Sequence, residues 1–288
     1  MKAIKIGGVP EHFNLPWHLA IENHKFSKKG IDLQWQDFHG GTGAMCNALR
    51  DGSIDVAIIL TEGIIKDIIN GNPSKIVKIY VESPLLWGIH VGANSRFQKV
   101  KELENAKIAI SRYGSGSQLM AIVNAYKNSF NIDDSQYEIV KNLDGGIKAL
   151  TEGSADYFMW EHFTTKPLVD QGVFRRIDSI TTPWPCFVIA VRNEVLENDK
   201  EAIKTIIKII NKQLKEFEKP LNVKDLDRLF SERYKQQLED VQEWLTITQW
   251  NRKKSISKKI INNIQNKLVT FGVIETRVQA KMLVKKIN

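Results

Sequence analysis

The stretches ALRDGSID (Ala48–Asp55) and ALTEGSAD (Ala149–Asp156) are nearly one phrase written twice. Ala, Leu, Gly, Ser and Asp recur in register, and Asp51 is matched by the chemically similar Glu152. Glycine and serine after a helix-forming stretch suit a helix end that turns into a buried strand, and the following aspartate suits a residue that caps or positions the turn. The octapeptides therefore read as helix–turn–strand joints whose main information is that the chain contains a duplicated unit.

The flanking pattern extends the duplication. In the first half AIKIG reads as a strand, Leu15–Lys25 as a helix, IDLQWQDF as a strand and Thr42–Arg50 as a helix, followed by IDVAIIL, a helix over Gly63–Ile69 and the strand KIVKIYV. The second half repeats the order with AKIAIS, Gly116–Ser129, QYEIV, Gly145–Leu150, ADYFMW, Thr164–Asp170 and VFRRI. Such alternation predicts an α/β fold of two lobes, each a mainly parallel sheet flanked by helices, with a ligand cleft between lobes at the carboxyl ends of the strands. ESPLLWGIHV (Glu82–Val91) and TPWPCFVIAV (Thr182–Val191) each follow a lobe's last strand with Pro, Trp and an extended apolar run, so both read as crossings. The expected organisation is a discontinuous first lobe, residues 1–86 and 188–288 with a helical tail, and a second lobe of residues 87–187.

Composition narrows the classes. The chain is long enough to bury a core without disulfides, and no apolar run approaches the roughly 20 residues of a membrane span. Cys46 and Cys186 have no metal-ligand spacing around them and read as buried hydrophobes, and no cofactor or metal motif appears. The opening MKAIKIGGVP runs directly into a strand pattern, which as written points to the cytoplasm, or to the periplasm or a lipid anchor if a leader has been removed. A net charge of +8 raises nucleic acid as a partner. Much of the excess, however, sits in pieces such as Arg252-Lys253-Lys254 and Lys258-Lys259, between Ile256, Ile260, Ile261, Ile264, Leu268 and Phe271 at helical spacing. The lysines thus read as the solvated faces of amphipathic helices, and no specific nucleic-acid partner is expected.

The loops after the strands carry the candidate site. GGVPEHFNLPWHL places Asn14 and Trp17 after the first strand; HGGTGAM offers Gly41 and Thr42; RYGSGSQLM offers Ser115, Gly116 and Ser117. The two glycine-rich loops each open a helix, where free backbone N–H groups hold an anion, a carbonyl or a ring nitrogen, or are simply capped. Neither is a Walker loop or a dinucleotide fingerprint. The third strands end in ILTEG and FMWEHFTT, so Thr61 and Glu62 occupy nearly the place of Glu161 and His162, with Trp160 beside Glu161. Each glutamate either accepts hydrogen bonds from a ligand's amino group or caps the following helix. Trp87 and Trp184 on the crossings, with Trp160, are available for stacking or for packing.

Taken together, the duplicated lobe, GGTG, the ALxxGxxD joints, ISRYGSGS, MWEHFTT and TPWPCF resemble the type II periplasmic-binding-protein superfamily over roughly Lys2–Val191. Within it the chain looks like the branch that holds transporter-associated binding proteins for sulfonates, nitrate and thiamine-pyrimidine precursors. SRYGSGS, MWEHFTT and PWPCF are most similar to a subgroup of stand-alone bacterial and fungal proteins. The resemblance implies capture of a small solute by closure of two lobes, without cofactor, and delivery to an ABC transporter permease as a possible partnership. The chain lacks the cysteine-rich CCCFC-like motif of the fungal pyrimidine synthase. The alternative is a cytoplasmic enzyme on the same fold, in thiamine-pyrimidine or menaquinone-type metabolism, with His12, His18 or His162 as general acid or base.

Overall fold

The computed structural model describes residues 1–217, 223–252 and 256–287. The chain divides into two compact units, one of Met1–Ser83, Trp184–Asn266 and Thr276–Asn288, the other of Pro84–Pro183 with Lys267–Glu275. The tail is therefore shared. Sequence periodicity assigned all of it to the first lobe, but Lys267 Nζ donates to the Pro183 carbonyl at 2.6 Å and Phe271 meets the Tyr126 ring edge-on at 5.2 Å. Those contacts outweigh chain continuity for that short stretch.

The first unit is built on β1 (Lys2–Gly8), β2 (Ile31–Asp37), β3 (Val56–Leu60), β4 (Ser74–Val81) and β10 (Phe187–Arg192), in the order β2-β1-β3-β10-β4. β1 is parallel to β2 and β3, while β10 runs antiparallel between β3 and β4. Four of the five strands thus point the same way. The second unit repeats the plan with β5 (Leu86–Gly92), β6 (Ile108–Ile110), β7 (Tyr137–Ile139), β8 (Tyr157–Glu161) and β9 (Phe174–Thr181), ordered β7-β6-β8-β5-β9. Here β5 is the antiparallel member between β8 and β9. Each crossing accordingly supplies the reversed strand of the sheet it enters. The central strands β3 and β10 are almost wholly buried aliphatic and aromatic runs, and β5, which carries Trp87 and His90 among its apolar residues, is as deeply buried, as strands covered on both faces require.

The twin octapeptides fold alike down to individual atoms. α2 (Gly41–Asp51) and α5 (Leu143–Glu152) end on Gly52 (φ 79°) and Gly153 (φ 74°), both in the left-handed region that favours glycine. Ser53 and Ser154 return their hydroxyls to the carbonyls of Ala48 and Ala149. Asp55 Oδ2 then accepts the Lys5 amide at 2.9 Å, and Asp156 Oδ2 accepts the Lys107 amide at 2.7 Å. In return the Asp55 and Asp156 amides donate to the carbonyls of Lys5 and Lys107, both at 2.8 Å. Each aspartate therefore pins the start of β3 or β8 to its neighbouring strand, so the same three residue types are needed in both units.

Helices α8 (Lys200–Phe217), α9 (Val223–Tyr234), α10 (Leu238–Ile247) and α11 (Lys258–Thr270) form the tail. α11 buries Ile261, Ile264 and Leu268 and exposes Lys258 and Lys259. Ile256 is buried ahead of the helix, while Lys253 and Lys254 lie outside the described residues. No helix of the described residues is long and apolar enough to cross a membrane.

Candidate functional site

In the first unit two loops at the carboxyl ends of strands come together. α2 opens on Gly40 and Gly41, the latter at φ 63°, a turn that lets the chain reverse tightly after β2. Thr42, next in line, is buried against the start of α3 (Thr61–Ile69): a Cβ at Gly63 would overlap the Thr42 methyl. Glycine at position 63 is what allows the two helix starts to pack. Thr61 is held by the crossing, since both its amide (3.0 Å) and its Oγ1 (3.1 Å) donate to the Cys186 carbonyl. Glu62 is 3% exposed, and its Oε2 accepts the Trp184 indole N–H at 2.8 Å. Its other oxygen, Oε1, is buried without a hydrogen-bond partner. Burial pushes the Glu62 carboxyl up to about 7, against the opposing pull of its own backbone N–H and of Trp184.

Asn14 and Trp17 are placed differently. Asn14 Nδ2 donates to the Val9 carbonyl at 2.8 Å, bracing the turn after β1, while its buried Oδ1 has no partner. Trp17 lies inside the core, stacked near Phe26 (6.2 Å) and tilted against Tyr80 (6.0 Å), because α1 (Leu15–Glu22) turns that face inward. The structure does not bring it to the loop group formed by Gly41, Thr42, Thr61 and Glu62.

In the second unit the helix start of α4 (Gly116–Asn128) carries a cluster of three buried hydroxyls. Ser115 is the N-cap and accepts the Gln118 amide at 3.3 Å. Its Oγ lies 3.0 Å from Ser117 Oγ, which in turn accepts the Ser111 amide at 2.9 Å and stands 3.2 Å from Ser111 Oγ. The cluster ties β6 to α4 and leaves the Gly116 and Ser117 amides, within the first turn of the helix, directed away from any intrahelical acceptor. Ser111 was not among the residues predicted, although its spacing of four and six residues from Ser115 and Ser117 was visible in SRYGSGS.

Glu161, at the end of β8, turns its Oε2 onto the Thr164 amide (2.6 Å) and hydroxyl (2.8 Å). It is 4% exposed, and burial again pushes its carboxyl up to about 7 despite those bonds and the Arg176 charge. Trp160 packs beside Phe158 at 5.1 Å, on the edge of a core formed by Val140, Leu150 and Phe174. A depression of about 680 Å³ lies at the other end of this sheet, bordered by Gly92, Arg96, Phe97, Glu152 and Gly153 around the octapeptide joint. It shares no residue with the loops.

Burial disfavours the charged form of His12, His18 and His162. Burial takes His12 down to about 3; its ring stacks on Phe13 at 4.8 Å and meets Trp244 edge-on at 4.2 Å, with Nε2 unpartnered. His18 lies edge-on to Trp35 at 4.8 Å. His162 binds Ser179 Oγ through Nδ1 at 2.9 Å, but Nε2 faces Arg176 at 2.5 Å, and burial together with that guanidinium lowers the ring to about 4. A serine–histidine pair completed by a cation lacks the carboxylate that would make it a general base. Cys46 and Cys186 are buried, and no cluster of metal-ligating side chains occurs among the described residues.

Comparison with known proteins agrees with this architecture. Residues 87–180 match the family model described as Ca3427-like PBP. The Candida albicans CA3427 gene product, described as defining a family with the generic periplasmic binding protein fold, is 28% identical over 100% of this chain and 97% of its own, with a TM-score of 0.92. The alkanesulfonate-binding protein SsuA of Xanthomonas axonopodis pv. citri, bound to MOPS, is 14% identical over 100% and 96% of the two chains, with a TM-score of 0.78. The periplasmic aliphatic sulphonate binding protein SsuA of Escherichia coli is 16% identical over 99% and 97%, with a TM-score of 0.73. No curated protein matches the sequence significantly. Two sheets with the same strand order, each reversed by the strand that follows a crossing, give this chain the type II periplasmic-binding-protein fold.

Proposed function

We propose that the protein is a solute-binding protein that holds a small heterocyclic or oxoanionic metabolite, such as a thiamine-pyrimidine-like precursor, without covalent chemistry. The observation that carries this reading is the pairing of a glycine-rich helix start with a buried carboxyl in each unit: Gly41 and Thr42 at the helix start packed on the one that holds Glu62, and Ser115–Ser117 at the helix start that follows β6, the strand beside the β8 that ends on Glu161. Backbone donors and an oriented acceptor at the carboxyl ends of strands are what a small polar molecule needs. Proteins of similar fold include an alkanesulfonate-binding protein and the ligand binding component of an ABC-type import system from Staphylococcus aureus, and an ABC transporter permease is the partner such a role implies. Binding is favoured over catalysis because His12, His18 and His162 are packed on aromatic rings or set against Arg176 rather than poised as bases.

A thermal-shift panel of pyrimidines, sulfonates, nitrate and other small oxoanions tests the proposal. A ligand present at 100 times its dissociation constant stabilises the fold by about 2.7 kcal/mol, a readable rise in melting temperature. Ser117→Ala should weaken that ligand, measured by calorimetry, more than it lowers the melting temperature of the free protein. Turnover of any panel member without a stabilising complex would favour the enzyme instead.

A further inference from the structure

We propose that Glu62 selects the solute: its buried Oε1 accepts a hydrogen bond from an N–H group of the ligand, which makes the ligand an amino-bearing heterocycle rather than an oxoanion. This rests on the solute-binding reading above and narrows it.

The two glutamates at equivalent strand ends have diverged in use. Glu161 turns back on its own loop, where the amide and hydroxyl of Thr164 both donate to one of its oxygens. Glu62 has no such bond to a following residue; within its own helix only its own backbone N–H pulls on the carboxyl. Its carboxyl is instead oriented from outside its own helix, by the indole N–H of Trp184, from the same crossing whose Cys186 carbonyl holds Thr61. One oxygen is thereby fixed in place and the other is left buried and unbonded. A buried acceptor without a donor is costly, by roughly 1–3 kcal/mol and more when charged, and such groups in native proteins call for a missing partner.

Geometry restricts what that partner is. The Gly63–Thr42 contact packs the start of α2 against the start of α3, next to Glu62 in the chain, so first-turn amides of α2 beyond Gly41 are the backbone donors nearest in the fold to the unbonded carboxyl oxygen. A heterocycle with an exocyclic amino group next to a ring nitrogen carries a donor and an acceptor along one edge and satisfies both. Nitrate or a sulfonate carries acceptors alone and sets oxygen against oxygen at Glu62. The Trp184 bond holds the other oxygen of the same carboxyl at 2.8 Å.

The test measures binding of 4-aminopyrimidine, cytosine, nitrate and methanesulfonate by calorimetry, with wild type and Glu62→Gln. Glutamine keeps an acceptor for Trp184 but presents an NH2 group where Oε1 stands. The expected result is that an aminopyrimidine binds wild type and that Glu62→Gln weakens it about 10- to 150-fold. Should Glu62→Gln fail to fold, the Glu62 carboxyl carbon of the wild type is followed by NMR, where the aminopyrimidine must shift its resonance. Equal aminopyrimidine affinity in both proteins, or an unmoved carboxyl resonance on binding, overturns the assignment. Binding of an oxoanion in place of the aminopyrimidines also overturns it, yet leaves solute binding standing. Failure of every member of the panel to bind counts against both.

Discussion

Glu62, Glu161, His12 and His90 pull the protein's pH response in opposite directions. The carboxyls of Glu62 and Glu161 both sit near 7 in the fold, above their ordinary 4.5, because burial disfavours the anion. Their contribution to stability is complete below about pH 4.5 and is lost as pH rises through 7. His12 and His90 are held near 3, below their ordinary 6.5, chiefly by burial. Their contribution is complete above about pH 6.5 and is lost as pH falls toward 3. Denaturant unfolding across this range should therefore show a stability maximum between the two limbs. Glu62→Gln with Glu161→Gln should let stability go on rising to about pH 6.5 and remove the decline around pH 7 while leaving the acid limb in place; an unchanged alkaline limb would mean the two carboxyls are ionised in the folded protein.

At this scale the sequence was a partial guide. It singled out Glu62 and Glu161 through their place at the ends of apolar strands, and Glu62 follows β3 by two residues while Glu161 is the last residue of β8. It could not show that one turns to Thr164 and the other to Trp184, because Trp184 is 122 residues distant in the chain. For Trp17, loop proximity suggested a ligand contact, and the structure places the ring in the core, on the buried face of the helix that follows Asn14.

Among the elements, the joints were the most legible, since glycine, serine and aspartate each meet a local demand that any helix-to-strand turn of this kind imposes. Gly153→Ala should cost about 1 kcal/mol, because a left-handed conformation penalises a Cβ even though nothing crowds it. Gly52→Ala should cost more, its Cβ falling 2.9 Å from Arg192 Nη1. Asp55→Ala and Asp156→Ala should each lose about 1 kcal/mol by chemical denaturation, by releasing the Lys5 and Lys107 amides. The pairing of α2 with α3 was not legible, as nothing near Gly63 names Thr42. Gly63→Ala should destabilise the fold by about 1–3 kcal/mol, and Thr42→Ser, which removes the obstructing methyl, should recover much of the loss in the double variant. Additive losses would place the strain elsewhere.

For the whole molecule, the repeat announced two units, and the reading of the lysine-rich tail as helix surface agrees with α11, which buries its isoleucines and exposes its lysines. Fluorescence anisotropy with duplex DNA should accordingly show weak association that falls steeply between 50 and 200 mM salt, about as counterion release dictates, without preference for sequence. Tight selective binding at physiological salt would show that the lysine faces recognise bases. What the repeat did not reveal is the seating of the two crossings, because extended apolar runs look alike whether they link lobes or complete a sheet.

That seating sets an order of events during synthesis on the ribosome. β1 to β4 leave the exit tunnel first, but β3 and β4 have no direct pairing and flank the slot that β10 fills. The second sheet has no such gap, since β5 to β9 are contiguous in the chain. At roughly 5–20 residues per second, the nascent amino-terminal segment waits several seconds or more for Phe187–Arg192 while its successor already has every strand it needs. The later half of the duplication thus closes before the earlier one, and the interval in which β3 and β4 stand with open edges is when the newborn chain most needs a chaperone.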